Sequence, residues 1–412
     1  MAETAAALTR PPKKLAASEA LAVACGAHAL HDGLTDLLYV LLPIWQVGFG
    51  LDYASVGLLR ALAAGTMAAL QVPSGWLGRR LGGAIVLAAG TALVGLAYMA
   101  AGFGAGLTSL AAALALGGVG LSTQHPIASS LVARSFPGAR SRIALGTYNF
   151  SGDIGKMALP AATAWLITLL GWRPAIALVG ALALAAAVLI ALRLRATETD
   201  AVPSGPARAA GPAHATAAGP ATAVMSRGFS ILLAIGVIDS ATRMGFLTFL
   251  PFLLRGKGAD LATVGLALTL VFAGGAAGKF VCGFLGERLG LLGAVYLTEG
   301  LTAAGILALL PLSLATSLTL LPVIGVALNG TSSVLYGTVP ELAPAARREH
   351  AFGIFYTGTV GGGALSPVVY GLFANFVGVG TMMVIIAGVV LTVVPLARLL
   401  RRDFAGRVGA GP

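Results

Sequence analysis

Charge is what this chain has least of. Of its 412 residues, 10% are Asp, Glu, Lys or Arg and 57% are hydrophobic, with a mean hydropathy of +0.91. An ordinary soluble domain is roughly 25% charged and 45–50% apolar, so a soluble enzyme or binding module is excluded. A membrane protein that crosses the bilayer many times remains. Cysteine is nearly missing too: Cys25 and Cys282 both fall in apolar runs, which leaves no disulfide framework to be read. No Gly-Lys-Ser/Thr phosphate loop occurs, nor a His-Glu-x-x-His or Gly-x-Ser-x-Gly arrangement. ATP-driven transport, metal-dependent hydrolysis and acyl-enzyme chemistry therefore lack their residues, and no enzyme, metal site or cofactor is expected.

The charges that are present sort by loop. The 26 Lys and Arg exceed the 15 acids and give +11 overall, a balance that in a soluble chain would suggest nucleic acid. Here the basic residues recur on alternate loops: Arg10, Lys13 and Lys14; Arg79 and Arg80; Arg134, Arg140 and Arg142; Arg193, Arg195, Arg208 and Arg227; Arg288; Arg347 and Arg348; and Arg398, Arg401, Arg402 and Arg407. The intervening loops carry Arg173, Arg255 and Lys257. Excess Lys and Arg marks the cytoplasmic side, so both termini are expected there and no nucleic-acid partner is implied. The apolar segment after Lys14 is too long for the roughly 7–15-residue core of a cleaved signal and reads as the first span.

Apolar runs near the roughly 20 residues needed to cross a bilayer fall at 18–46, 53–77, 83–104, 107–135, 142–170 and 174–194, then at 228–254, 262–285, 291–313, 317–340, 350–376 and 380–402. Residues 196–227 between them are rich in Pro, Ala, Gly and Thr without periodicity and read as a flexible cytoplasmic linker. The expected organisation is an all-α membrane protein of twelve transmembrane helices: a tail over 1–17, six helices over 18–195, the linker, six helices over 228–402 and a tail over 403–412. The halves repeat. A shift of 208 residues lays Gly50-Leu-Asp52-Tyr-Ala-Ser-Val56-Gly57-Leu58 on Gly258-Ala-Asp260-Leu-Ala-Thr-Val264-Gly265-Leu266, and Gly75-Trp-Leu-Gly-Arg79-Arg80-Leu-Gly82 on Gly283-Phe-Leu-Gly-Glu287-Arg288-Leu-Gly290. Both copies run the same way through the membrane, which is a parallel repeat about the membrane normal.

These two glycine- and arginine-bearing turns resemble the cytoplasmic gating motif of the major facilitator superfamily, and Gly75, Arg79, Arg80, Gly283, Glu287 and Arg288 are its gating residues by that resemblance. Within the superfamily, His28 and Asp32 in span one, Gln71-Val-Pro73 in span two, His125-Pro126 ending span four and the glycine-rich run toward Pro160 resemble the fosmidomycin-resistance branch of drug exporters. The resemblance implies two pseudo-symmetric six-helix bundles (the major facilitator fold), a multi-pass monomer of the bacterial inner membrane, and alternating access coupled to protons. Spans three, six, nine and twelve are implied to face lipid. Export of a small anionic or amphipathic compound is the leading expectation, with proton-coupled import of a small organic anion as the alternative.

Independently of that resemblance, ionisable groups inside apolar spans are costly and mark pathways. His28, Asp32, Asp36 and Asp153 are candidate proton-coupling residues. Asp36 and Arg60 lie at matching depth on neighbouring spans and read either as an ion pair or as a substrate contact. Asp153 and Lys156, three residues apart, read as a salt bridge that substrate or a proton can open; Asp239 is the repeat mate of Asp32 to within one residue, with a pair to Arg243 within span seven as its alternative reading. Lys156, Arg243 and Lys279 are three cations suited to a carboxylate or phosphonate. Asp239, Tyr148, Asn149, Tyr356 and Asn329 complete the candidate substrate wall. His125 reads as a helix-end hydrogen bonder, and Glu299 stands alone among the outer spans.

Overall fold

Asp52 and Asp260, one repeat apart, start two helices in the same way. Each carboxylate accepts a hydrogen bond from the backbone N–H three residues on, of Ser55 and of Thr263, both at 2.7 Å. That is the N-cap role for which a short acidic side chain is suited. The computed structural model describes residues 17–136, 138–198, 226–343 and 347–408. The helices, in order, are α1 (Ala17–Phe49), α2 (Tyr53–Leu81), α3 (Gly83–Gly102), α4 (Leu107–Leu121), α5 (Gln124–Ser135), α6 (Ala139–Leu170), α7 (Trp172–Glu198), α8 (Arg227–Gly256), α9 (Leu261–Leu309), α10 (Leu314–Leu342), α11 (Arg348–Leu391) and α12 (Val393–Val408). Most of the expected linker and the outer parts of both tails lie outside the described residues.

The repeat is visible in the backbone. Gly50 and Gly258, and Gly82 and Gly290, have positive φ at positions 208 residues apart, and Gly171 and Gly378 do so 207 apart. Only glycine enters that region at no steric cost. At Gly290 and Gly378 the turn is tight enough for the helix to run on as α9 and α11, each with one non-helical residue inside.

Among the described residues, ten helical stretches are long and apolar enough to cross a membrane. One is the 52-residue run His350–Arg401, more than twice the roughly 20 residues a span needs and bent at Gly378. Helix α1 is not among the ten, because His28, His31, Asp32 and Asp36 dilute its hydropathy. The fourth expected span is broken between Leu121 and Gln124 into α4 and α5.

Three apolar cores organise these helices. The largest joins the two halves of the chain: Leu37, Leu41 and Trp45 of α1, and Val56 and Leu59 of α2, cluster with Phe246, Phe249 and Leu250 of α8 and Val264 and Leu268 of α9. The other two cores each belong to one half. Ala24, Ala27, Ile127, Val132, Tyr148 and Ile190 form one; Phe229, Ile235, Val295, Leu335, Phe355 and Leu400 form the other. The halves are thus fused at the end holding the α1–α2 turn and apart at the end where α1 begins and α7 ends.

Small residues set that fusion. Lipid is as apolar as leucine, so helices in a membrane associate through close packing. A Cβ on Gly57 would lie 2.1 Å from the Pro367 carbonyl oxygen, and one on Gly371 2.2 Å from that of Tyr53. Helix α2 therefore lies directly on α11, and Asn375 ties them further by accepting from the Tyr53 N–H at 2.8 Å and donating to Asp52 at 2.9 Å.

Candidate functional site

The first half places its polar residues through glycines. A Cβ on Gly155 would lie 1.8 Å from the Ala29 carbonyl oxygen, and one on Gly33 2.7 Å from that of Gly155. Helix α6 therefore presses backbone to backbone on α1. This brings the Lys156 ammonium to 3.2 Å from Asp32 Oδ2, while Gly152 leaves space for Asp32 and His28. The expected pairing of Asp153 with Lys156 is corrected. Lys156 turns to α1, and Asp153, one turn earlier, faces the second half.

Around Asp32 the groups form one network. His28 donates from Nδ1 to the Tyr148 carbonyl at 2.8 Å, and its ring stacks on Tyr148 at 4.2 Å. That leaves His28 Nε2 facing Asp32 Oδ2 at 3.3 Å, a contact that attracts when a proton lies between the two. Gln124 holds the Tyr148 hydroxyl at 2.8 Å. His125, which sequence reading left as a helix-end residue, lies 3.7 Å from Asp32 Oδ1. Its place beside Pro126 in an otherwise apolar run was the available signal. His31 is separate: the Thr91 hydroxyl donates to the Leu87 carbonyl, so it accepts from His31 Nε2 at 2.8 Å. His28, Asp32 and His125 offer ligand atoms within 4.8 Å of one another, yet the Lys156 ammonium already occupies that carboxylate, so the donor set does not fit a cation.

Deeper in α1, Asp36 meets Arg60 at 3.7 Å. Arg60 also donates to the Tyr39 hydroxyl at 3.0 Å and lies over its ring at 4.9 Å. Arg60 is 3% exposed; its Nη2 serves Asp36 and Tyr39, while Nε and Nη1 are buried without a hydrogen-bond partner.

Beside the Asn375 bonds at the fused end, further polar links cross the seam. Lys279 of α9 donates to both Asp153 oxygens, at 2.7 and 2.6 Å, and the Tyr356 hydroxyl of α11 donates to Gln71 of α2 at 3.3 Å. Lys279 and Gln71 are repeat mates, as are Tyr356 and Tyr148, so both halves reach across at equivalent depth. The side chains of Lys156 and Lys279 are 30% and 43% exposed, accessible from the open end. Asn149 is exposed and makes no hydrogen bond among the described residues. Asn329 donates to the Gly325 carbonyl of its own helix at 3.2 Å and packs over Gly275.

In the second half, Asp239 and Arg243 form no ion pair within 4 Å, although the Arg243 charge acts on Asp239. Arg243 donates to the Ser332 hydroxyl of α10 at 2.9 Å, and the Asp239 carboxyl lies against Ser332 and Glu299. Glu299 is 2% exposed and points inward from the outer segment of α9, where sequence reading left it without a role. Its isolation as an acid in an apolar run was the signal. At the gating turns, Gly75 packs against Pro126, Arg80 stacks on Trp76 at 4.0 Å and Arg288 on Phe284 at 4.3 Å, and Arg79 is exposed. The Gly283 and Glu287 side-chain positions lie outside the described residues.

The family model described as Major Facilitator Superfamily matches residues 24–317 and 232–409. The chain is similar to the 4-hydroxybenzoate transporter PcaK of Pseudomonas aeruginosa, 27% identical over 412 residues with 91% of each chain covered. It is also similar to the "Probable sulfoacetate transporter SauU" of Cupriavidus necator, 25% identical with 87% of each covered. Among solved structures, an inward-facing bacterial homologue of the human lysosomal transporter Spinster superposes with a TM-score of 0.78 at 17% identity, covering 96% of this chain and 98% of that one. The nucleoside transporter NupG gives 0.74 at 14%, covering 92% and 99%. At those identities the likeness shows the fold.

Proposed function

Given that this chain belongs to the major facilitator superfamily and is a membrane transporter rather than an enzyme, we propose that it takes up a small organic anion together with protons by alternating access. The observation that carries this reading is that Lys156 and Lys279, half-open to the cleft, are each held by a carboxylate, Asp32 and Asp153. A carboxylate or sulfonate substrate has the chemistry to take either lysine. The displaced aspartate is then an uncompensated buried charge, a situation worth about 3–5 kcal/mol, and it is relieved by taking a proton. Anion and proton thus bind together.

The relatives support an anionic cargo, since their names specify 4-hydroxybenzoate and sulfoacetate. Lys156, Lys279 and Arg243 are the proposed anion contacts, with Tyr356, Asn149 and Asn329 as wall residues, and Arg60 and Tyr148 supporting them from behind. The fused end, with the opposite end apart, is the inward-facing state if the basic loops are cytoplasmic. Twelve spans follow if α1 crosses and the run His350–Arg401 crosses twice. Two helical bundles, a monomer and the bacterial inner membrane complete the proposal. Export is the second reading, favoured by the resemblance of the His28, Asp32, Gln71 and His125 motifs to drug exporters.

The test is uptake of 4-hydroxybenzoate by proteoliposomes under an imposed proton gradient. Accumulation on the alkaline side is the expected result. Movement toward the acidic side supports export, and indifference to the gradient removes proton coupling.

A further inference from the structure

Asp239 and Glu299 take no part in the anion chemistry above, and their surroundings differ from those of every other acid in the core. Asp32, Asp36 and Asp153 each face a cation within 4 Å. Asp239 and Glu299 face each other. Both are buried, at 5% and 2% exposure, and no N–H or O–H reaches Glu299 Oε1. Two carboxyls in hydrogen-bonding contact need one proton between them, because like charges so close cannot both ionise without great cost.

Charge across the helix interiors points the same way. Five acids, Asp32, Asp36, Asp153, Asp239 and Glu299, stand against four permanent cations, Arg60, Lys156, Arg243 and Lys279. With the histidines neutral, one negative charge is left over, and a low-dielectric interior disfavours it. The acid in excess is in the one place where an acid meets an acid.

The pair is wired to the rest of the molecule. The Ser332 hydroxyl accepts from Arg243 at 2.9 Å and donates to Asp239. Thr298 donates to the Ala294 carbonyl and so accepts from Thr331 at 2.6 Å, and the Thr331 hydroxyl lies against Glu299. Arg243 of α8 is the cation that acts on both carboxyls, and it also lies within electrostatic reach of Asp36 in the first half. Helix α10 contributes hydroxyls to the pair, and helices α11 and α12, which also pack on α8, contribute no charged or titratable group acting on it among the described residues.

We propose that Asp239 and Glu299 form a two-carboxyl, one-proton site in the second half, read out through Ser332 and Arg243. On deprotonation the acid O–H bond breaks, its electron pair stays on the carboxylate and the proton passes to water from the cleft. The pair then carries two negative charges, and Arg243 turns from Ser332 to Asp239, withdrawing its field from Asp36. The proton site rests on two buried carboxyls gathered around Thr331 and Ser332 and on the interior charge balance; its coupling to cargo rests on the proposed function.

Infrared difference spectra of the reconstituted protein test it. The wild type is expected to show the carbonyl stretch of a protonated carboxyl, lost in both Glu299→Gln and Asp239→Asn and kept in Asp32→Asn. A band that is absent from the wild type, or that survives in both variants, overturns the site. Should Glu299→Gln fail to fold, the shorter acid in Glu299→Asp is expected to keep the band at a shifted frequency, and an unshifted band counts against the assignment. For coupling, the ratio of gradient-driven to exchange uptake of 4-hydroxybenzoate is expected to fall in Glu299→Gln, and an unchanged ratio overturns the readout. If the wild type shows the band but no gradient-driven uptake, the site stands and the proton-coupled reading falls.

Discussion

The chemistry of single residues is sharpest at the two lysines. Removing one partner of a fully buried ion pair costs about 3–5 kcal/mol, whereas an exposed pair contributes about 0–1. Lys279 is half-exposed, so Asp153→Asn is expected to destabilise by an amount between these limits, and the double variant with Lys279→Gln to regain most of it while losing anion binding. Thermal unfolding with and without 4-hydroxybenzoate measures both, since a ligand at one hundred times its Kd stabilises the native state by about 2.7 kcal/mol. Asp32→Asn strands Lys156 on a more closed site and is expected to abolish gradient-driven accumulation while leaving some exchange. Undiminished driven uptake in that variant counts against Asp32 as a coupling acid. Sequence supplied the list of ionisable residues and the match of Asp36 to Arg60 by depth. It did not supply the partners of Asp153, Lys156, Asp239 or Arg243. Neighbours on one helix are visible in a sequence, but whether a side chain prefers them depends on which helix lies against its face.

At the scale of the helix, glycine decides those faces. Gly155→Ala is expected to separate α6 from α1 and to destabilise by about 1–3 kcal/mol, as overpacked sites do. Gly146 of the same helix has nothing within 4 Å of its would-be Cβ, so Gly146→Ala is expected to be neutral or stabilising, because alanine is the better helix former. Unfolding midpoints of the two variants, compared directly, settle the point. The caps give a pH dependence. Bonds from the Ser55 hydroxyl and N–H hold the Asp52 carboxyl below its usual range, and Thr263 does the same for Asp260. A depressed folded pKa means that the cap is at full strength above the unfolded value of about 3.9 and is lost as pH falls through the folded one. Asp52→Ala is therefore expected to cost about 1 kcal/mol at neutral pH, with the difference from wild type vanishing in acid. The caps and the positive-φ glycines were legible as a repeat of 208 residues. The break of the fourth span into α4 and α5 was not, because Leu121 to Gln124 holds neither proline nor glycine.

For the whole molecule, the asymmetry of the three cores sets the conformational balance. The fused end is held by small-residue packing and by the hydrogen bonds of Asn375 to Tyr53 and Asp52. Neutral hydrogen bonds contribute about 1 kcal/mol each and charged ones somewhat more, and 1–2 kcal/mol is roughly a 5- to 30-fold change in a two-state ratio. Asn375→Ala is expected to shift the population toward the state open at that end by such a factor, read as shortened distances between spin labels at the opposite end. An unchanged distribution would assign the closure to packing alone. The class of fold, the two-fold repeat and the basic-loop asymmetry were all readable from composition and spacing. Which end is closed was not, since both arrangements satisfy the same hydrophobic pattern.

One consequence concerns electricity. If the odd acid of the five holds a proton as proposed, the four interior cations and the remaining acids balance in number, and the resting carrier offers the membrane voltage almost nothing to pull on. A monovalent anion that enters with a single proton preserves that neutrality through the cycle. Such a carrier answers to the pH difference and is deaf to the potential: capacitive currents on a solid-supported membrane should be near zero for a monoanion and should appear when the cargo is a dianion.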